Sequence, residues 1–365
     1  MLLFSIGLAI LLILIALYVL VAVYLERKVS AFIQDRMGPM EVGKWGLLQT
    51  LADILKLLSK EIIIPSSADK WLFLGAPMVV FVSIFAGFAV LPFAKGWAGA
   101  FLNVGILWVL SVISIHTIGL LMAGWGSNNK YALIGSFRAV SQIISYEIPA
   151  GLTILAVVLV FGTLDLNSIS QQQGILTTEP LYLFGIWDVS QIGGVTTWSI
   201  VRYPHLLIGF IIFFIASLAE CNRAPFDIPE AESELLAGFH IEYSGFTWAI
   251  FFLAEYANML LVSFVAVILF LGGWNTALPN VGNLELAKWT TGSAGEWSGF
   301  LWGSFWLCFK TILLILLQMW IRWTYPRFRA DQLMRLCWKV LIPTSFGLVI
   351  ISIGWKLAEV YLFSW

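Results

Sequence analysis

The chain has 365 residues, of which 60% are hydrophobic and 11% charged. An average soluble domain carries about 25% charged and about 45–50% apolar residues. Too few polar side chains are present to clothe a water-facing globule of this length, so a soluble enzyme and a disordered or collagen-like chain are excluded. The apolar runs are continuous rather than alternating, which argues against a transmembrane β-barrel. An all-α polytopic membrane protein remains, read as a single integral membrane domain over residues 1–365. Lys+Arg 20 against Asp+Glu 21 leaves no basic excess for nucleic acid. Cys221, Cys308 and Cys337 form no C-x-x-C pair and no disulfide framework, and no metal or iron–sulfur ligand set is expected on this chain.

A span needs about 20 apolar residues to cross a ~30 Å hydrocarbon core. Eight segments qualify: Leu2–Tyr24, Trp71–Leu91, Leu102–Ala123, Gln142–Phe161, Tyr203–Ala219, Phe246–Leu271, Phe300–Trp320 and Leu341–Tyr361. The first lacks a basic n-region and is too long for a cleaved signal peptide. The odd loops carry Arg27, Lys28, Arg36, Lys44, Lys56, Lys60, Lys70, Lys130, Arg138, Arg223, Arg322, Arg327, Arg329, Arg335 and Lys339, whereas the even loops carry Lys95, Arg202 and Lys288. This asymmetry predicts cytoplasmic odd loops and both termini outside. The fourth loop is long enough to hold a short helix or strand.

The first cytoplasmic loop, residues 25–70, reads as turns around Arg36, Gly38, Pro39, Gly43 and Gly46, then as an amphipathic helix from Leu47 to Glu61. Leu47, Leu48, Leu51, Leu55 and Leu58 form one stripe, and Gln49, Asp53, Lys56 and Lys60 the other. The helix is too short to span and should lie in the interface, either as a strut or as a functional surface. The acidic loop, residues 220–245, sets Glu220, Asp227, Glu230, Glu232, Glu234 and Glu242 around Arg223. Crowded carboxylates repel, which raises some pKa values toward neutrality and suits proton transfer. A capping box from Asp227 to Glu230 with Pro229 in the first turn explains two of these acids locally, but not the rest.

Ionisable groups inside spans are costly and are functional candidates by default. Glu147 lies about 7–8 Å into the fourth span at ~1.5 Å per residue, with Pro149 just after it as a predicted kink. Glu255 lies near the middle of the sixth. Lys310, midway along the seventh, reads as the partner of a carboxylate. His116 in the third reads as a hydrogen-bonded core residue or a functional one.

The loops resemble one family closely. Glu26-Arg-Lys-Val, Gln34-x-Arg36-x-Gly-Pro, Gly46-Leu-Leu-Gln49, Ala52-Asp53 and Lys56-Leu-x-x-Lys60-Glu61 are similar to the first loop of the H subunit of NADH:quinone oxidoreductase, respiratory complex I, whose mitochondrial counterpart is subunit 1. Gly124-Trp-x-Ser-Asn128, Lys130-Tyr-Ala-Leu-Ile-Gly, Ser145-Tyr-Glu147, Ala219-Glu-x-Asn-Arg-Ala-Pro-Phe-Asp227, Glu232-Ser-Glu-Leu, Gly238-Phe-x-x-Glu242-Tyr and Ala254-Glu-Tyr-x-Asn258 continue the likeness. Met40, Ala231, Cys221 and His240 depart from the usual residues, and no acid stands in the second or third span, where His116 or a neighbouring subunit would have to substitute.

The resemblance implies a membrane subunit that forms the entrance and part of the chamber for ubiquinone or menaquinone. It implies Arg36, Trp45, Ala52, Asp53 and Phe226 as chamber or gate residues, with an apolar inner face and a charged rim. Glu147, Glu220, Arg223, Asp227, Glu230, Glu232, Glu234, Glu242 and Glu255 would form the proton path. No catalytic redox group is implied on this chain; flavin and iron–sulfur clusters belong to partner subunits. Implied partners are the peripheral quinone-site and iron–sulfur subunits, antiporter-like membrane subunits, quinone and the lipid bilayer of an energy-transducing inner (cell) membrane. Three other readings stand beside it: the homologous membrane subunit of an energy-converting hydrogenase or F420-dependent relative, a stand-alone secondary transporter, and a passive membrane anchor, which would leave Glu147 and Glu255 as unexplained costs.

Overall fold

Inside a bilayer every backbone polar group must find its partner within the protein, and a long apolar run does so as a helix. In the computed structural model, which describes residues 2–175, 177, 180–184, 187–229, 236–280, 284–292 and 296–362, each of the eight predicted runs is helical. These are α1 (Leu2–Ile33), α3 (Lys70–Phe88), α4 (Gly105–Gly126), α5 (Lys130–Phe161), α6 (Pro204–Glu220), α7 (Phe246–Phe270), α8 (Trp297–Thr324) and α9 (Ala330–Tyr361), with α2 (Gln49–Ser59) in the first loop. Among the described residues seven helices are long and apolar enough to cross a membrane, and α6 is the shorter eighth. At ~1.5 Å per residue its 17 residues reach about 26 Å, short of a ~30 Å core. Its last residue, Glu220, lines one internal cavity with Glu147 of α5 and Val262 of α7.

Several helices outrun the hydropathy pattern. The first continues past Tyr24 to Ile33, α5 begins at Lys130 rather than Gln142, and α9 begins at Ala330 with a π-helical turn at Cys337–Leu341. Apolar content reports the bilayer, whereas a helix extends until a cap stops it. Asn129 supplies one such cap, its side chain accepting the Tyr131 amide at 2.9 Å. Pro149 does not break α5, which runs through it. The long fourth loop holds a short helix, Leu166–Gln171, and a two-residue hairpin pairing Tyr182–Leu183 with Trp187–Asp188.

The bundle is built around α7, 83% of whose most apolar stretch is buried, against 22% for α1 and 28% for α9. The even loops fasten to its far end. Gln173 donates to the Ile268 carbonyl at 2.9 Å and Ser199 to that of Leu269 at 2.7 Å. Lys310 of α8 donates to the carbonyls of Leu271, Gly273 and Asn275 at 2.7, 2.8 and 2.7 Å and sits 4.6 Å over the Trp198 ring. The expectation of a carboxylate partner is thereby corrected. The carbonyls just beyond α7 and the negative dipole end of that helix supply what a carboxylate would.

The odd loops are stitched together at the opposite end. Asn128 donates to the Ser67 carbonyl at 3.0 Å, Asn129 to Glu242 Oε1 at 2.6 Å, and Ser244 to the Glu61 carbonyl at 3.3 Å. The Phe328 amide donates to the Pro225 carbonyl at 3.0 Å. The Gly238–His240 turn rests directly on α5, where a Cβ on Gly135 would lie 2.6 Å from Gly238 Cα, itself at φ 57°. Gly135→Val is expected to push this turn away and destabilise the protein by about 1–3 kcal/mol. Thermal melting in mild detergent reads this, with Gly151→Val, where the added Cβ meets nothing within 4 Å, as the comparison that should melt normally.

Candidate functional site

The site begins at the junction of α1 and α2. Because α1 runs on past the predicted span, it carries Arg27 to Asp53 of α2, paired at 2.6 Å, and Gln49 adds a 3.2 Å hydrogen bond to the same carboxylate. This pair turns the Gln49–Asp53 side of α2 inward. The leucines Leu47, Leu48, Leu51, Leu55 and Leu58 are exposed on this chain. Lys56 and Lys60 of the other stripe are exposed as well. Arg36 is exposed at the turn beyond α1, its Nε donating to Gln34 Oε1 at 2.7 Å. Trp45 is 67% exposed at φ 63°, an unusual conformation for a bulky side chain, and its carbonyl accepts the Tyr24 hydroxyl at 3.0 Å. Ala52 is half-buried beside Asp53.

Behind this rim lies a buried charge cluster. Glu26 accepts hydrogen bonds from the Tyr256 hydroxyl and from Arg322, and Arg223 stands 3.8 Å away. The Arg223 guanidinium also lies 4.2 Å over the Tyr256 ring. Glu26 and Arg223 are both nearly excluded from solvent. Burying such charges is costly unless they are paired, and here two cations and a hydroxyl surround one carboxylate. Asp227 is buried and pairs with Arg327 at 2.8 Å. Phe226 is buried as well, its ring 5.5 Å from Tyr146 and 5.6 Å from Phe328. Glu230, Glu232 and Glu234 lie outside the described residues, so the capping box from Asp227 does too.

Deeper still, the acids fall into a line. Glu147 accepts a hydrogen bond from Ser114 of α4 and shares one largely apolar cavity with Glu220. Glu220 also lines a second cavity, together with His116, Cys221, Asn222, Glu255 and Asn258. Glu255 meets His240 Nε2 at 3.3 Å. Glu242 stands apart, held by Asn129. One residue, Glu220, therefore joins the Glu147 cavity to the Glu255 cavity. Burial, and behind it the charge of Glu220, push the neighbouring Cys221 thiol well up, so it stays neutral there.

A sequence profile described as NADH dehydrogenase matches residues 6–353. The chain belongs to this family. A protein named as H subunit 2 of NADH-quinone oxidoreductase, from Cytophaga hutchinsonii, is 56% identical over 350 residues, covering 94% of this chain and 96% of its own. The H subunit of NADH-quinone oxidoreductase from Chlorobium luteolum is 52% identical over 350 residues, covering 96% of this chain and 88% of its own. The protein of that name from Chlorobaculum parvum is 51% identical over 357 residues, with 96% and 93% covered.

Set in this family, the structure brings Arg223 and the line of Glu147, Glu220 and Glu255 into one interior and leaves Arg36 and Trp45 at the rim. Sequence reading missed five members of the charge cluster and line. Glu26 and Tyr256 entered as motif letters without a role, Glu26 because a loop was expected where α1 continues. Arg322 and Arg327 counted as loop charges, although Arg-rich ends of two helices facing an acidic loop could have been matched by sign. Ser114 carries no sequence signal for its bond to Glu147.

Proposed function

We propose that this chain forms the entrance and part of the chamber for ubiquinone or menaquinone in a proton-pumping NADH:quinone oxidoreductase, and couples quinone reduction to proton translocation. The relatives' shared name supports the assembly. The observation that carries the coupling is the place of Glu220 in the walls of two cavities, one holding Glu147 and the other Glu255. Electrons reach the quinone from NADH through flavin and iron–sulfur clusters on peripheral partner subunits. A quinone becoming a quinol takes up two electrons and two protons. Drawing those protons from buried acids leaves negative charge that neighbouring groups must answer. Glu26, Arg223, Arg322, Asp227 and Arg327 form the charged layer between rim and interior that would answer it, with Glu230, Glu232 and Glu234 as further proposed members. Glu220, Glu147 and Glu255, with Glu242 at the loop, then hold and pass protons toward antiporter-like membrane subunits.

The rim has its own role. The outward leucine stripe of α2 meets lipid, where an isoprenoid tail arrives, and the Arg27–Asp53 pair and Arg36 mark the polar threshold the headgroup crosses. Trp45, Ala52 and Phe226 complete the proposed entrance and chamber. The protein would sit in an inner (cell) membrane with both termini outside and the odd loops cytoplasmic, as the basic residues direct. Arg36→Ala tests the entrance. Quinone reduction is expected to fall about tenfold, more than electron transfer from NADH to a hydrophilic artificial acceptor. Equal loss of both would mark failed assembly and remove the support for this role.

A further inference from the structure

The second cavity contains a group that the acidic line does not explain. His116 of α4 is buried to 3% exposure, and among the described residues neither Nδ1 nor Nε2 has a hydrogen-bond partner. Glu220 Oε1 and Asn258 Oδ1 are likewise buried without a partner among the described residues. All three residues line the same cavity, with Glu255 on its wall and Val80, Leu120 and Phe251 closing it. Buried polar atoms left this way are costly and are rarely tolerated unless something meets them. The cavity has room for about one water, and a water there finds the two to four polar partners it needs.

We propose that His116 is a proton carrier between Glu220 and Glu255, linked to them by water in this cavity. The inference rests on the reading of Glu220 and Glu255 as a proton path. Imidazole suits the position because its two nitrogens act on opposite sides, one receiving while the other releases. In the step, Glu220 in its acid form gives a proton through water to one ring nitrogen. The imidazolium gives up the proton on its other nitrogen toward the Glu255 carboxylate. The ring is then neutral in the other tautomer and returns by a ring flip or a reverse proton shift. The groups facing it are Glu220 and Cys221 after α6 and Glu255 on α7; α3 presents Val80, which does not titrate. His240 stands behind Glu255 and holds it at the cavity wall.

The test uses the whole complex, purified and reconstituted in liposomes, with protons translocated per quinol formed measured across pH. His116→Asn keeps a polar side chain that holds water but does not titrate near neutrality. It is expected to lower translocation at least tenfold. His116→Ala is expected to do the same and to recover translocation when free imidazole is added. Unchanged stoichiometry in His116→Asn would overturn the proposal. So would loss of assembly in both variants, since the ring would then be packing. Glu220→Gln and Glu255→Gln separate the two levels. If they lose translocation while His116→Asn keeps it, the histidine alone is wrong. If all three translocate normally, the underlying path is wrong.

Discussion

Glu220→Gln is expected to lower proton translocation by roughly 10²-fold, the scale of losing one positioned proton-transfer group. The variant keeps the side chain's shape and hydrogen-bonding capacity, so the helices around it should still pack. What it removes is the ability to exist as carboxylate and acid in turn. The effect should exceed that of Glu147→Gln or Glu255→Gln, because each of those acids lines one cavity whereas Glu220 lines both. Glu220→Asp, which draws the carboxyl back by one methylene, should fall between the wild type and Glu220→Gln. The measurement is dye-reported acidification of proteoliposomes normalised to NADH oxidised. Full acidification by Glu220→Gln, with the complex intact, would remove Glu220 from the path and leave the two cavities unconnected.

Glu220 can serve both cavities because it is buried at the end of α6. Hydropathy predicted a span over Tyr203–Ala219 and placed Glu220 at the head of a cytoplasmic loop. The helix instead includes Glu220 as its last residue, and the loop's first acid is an interior one. The eight apolar runs, a helix in the first loop and the two glutamates within apolar helices were legible because hydrophobic length, amphipathic period and misplaced charge are one-dimensional signals. Contacts between distant segments were not. Glu26 and Arg322 are 296 positions apart yet meet in the bundle, and nothing in either local sequence encodes that. The amphipathic pattern gave α2 its leucine stripe but not the pairing that seats the helix. That pairing depended on Arg27, which a helix running beyond the expected boundary delivered to Asp53.

Lys310→Met is expected to affect a different property. Read from sequence, a lysine midway along a span is the partner of a carboxylate, and its removal should then leave a buried acid without its counter-charge. The structure gives it another task. Its three donors are all used on backbone carbonyls just beyond the end of α7, and its charge faces the negative end of that helix and the Trp198 ring. Methionine fills nearly the same volume with no donor, which leaves buried carbonyls short of a partner at about 1–3 kcal/mol each. Relief of the buried ammonium offsets part of this. A net loss of about 3 kcal/mol should lower the melting temperature by roughly 5 °C or more. Because α7 also carries Glu255 and Tyr256, its loosened end should reduce the yield of assembled protein. The molecules that do assemble should translocate protons per quinol as the wild type does. Differential scanning fluorimetry in mild detergent and acidification per NADH on the same preparation separate the two roles. Unchanged melting with lost translocation would make Lys310 a proton carrier after all. Early melting with normal stoichiometry would establish it as the clamp that holds the central helix to the loops beyond it.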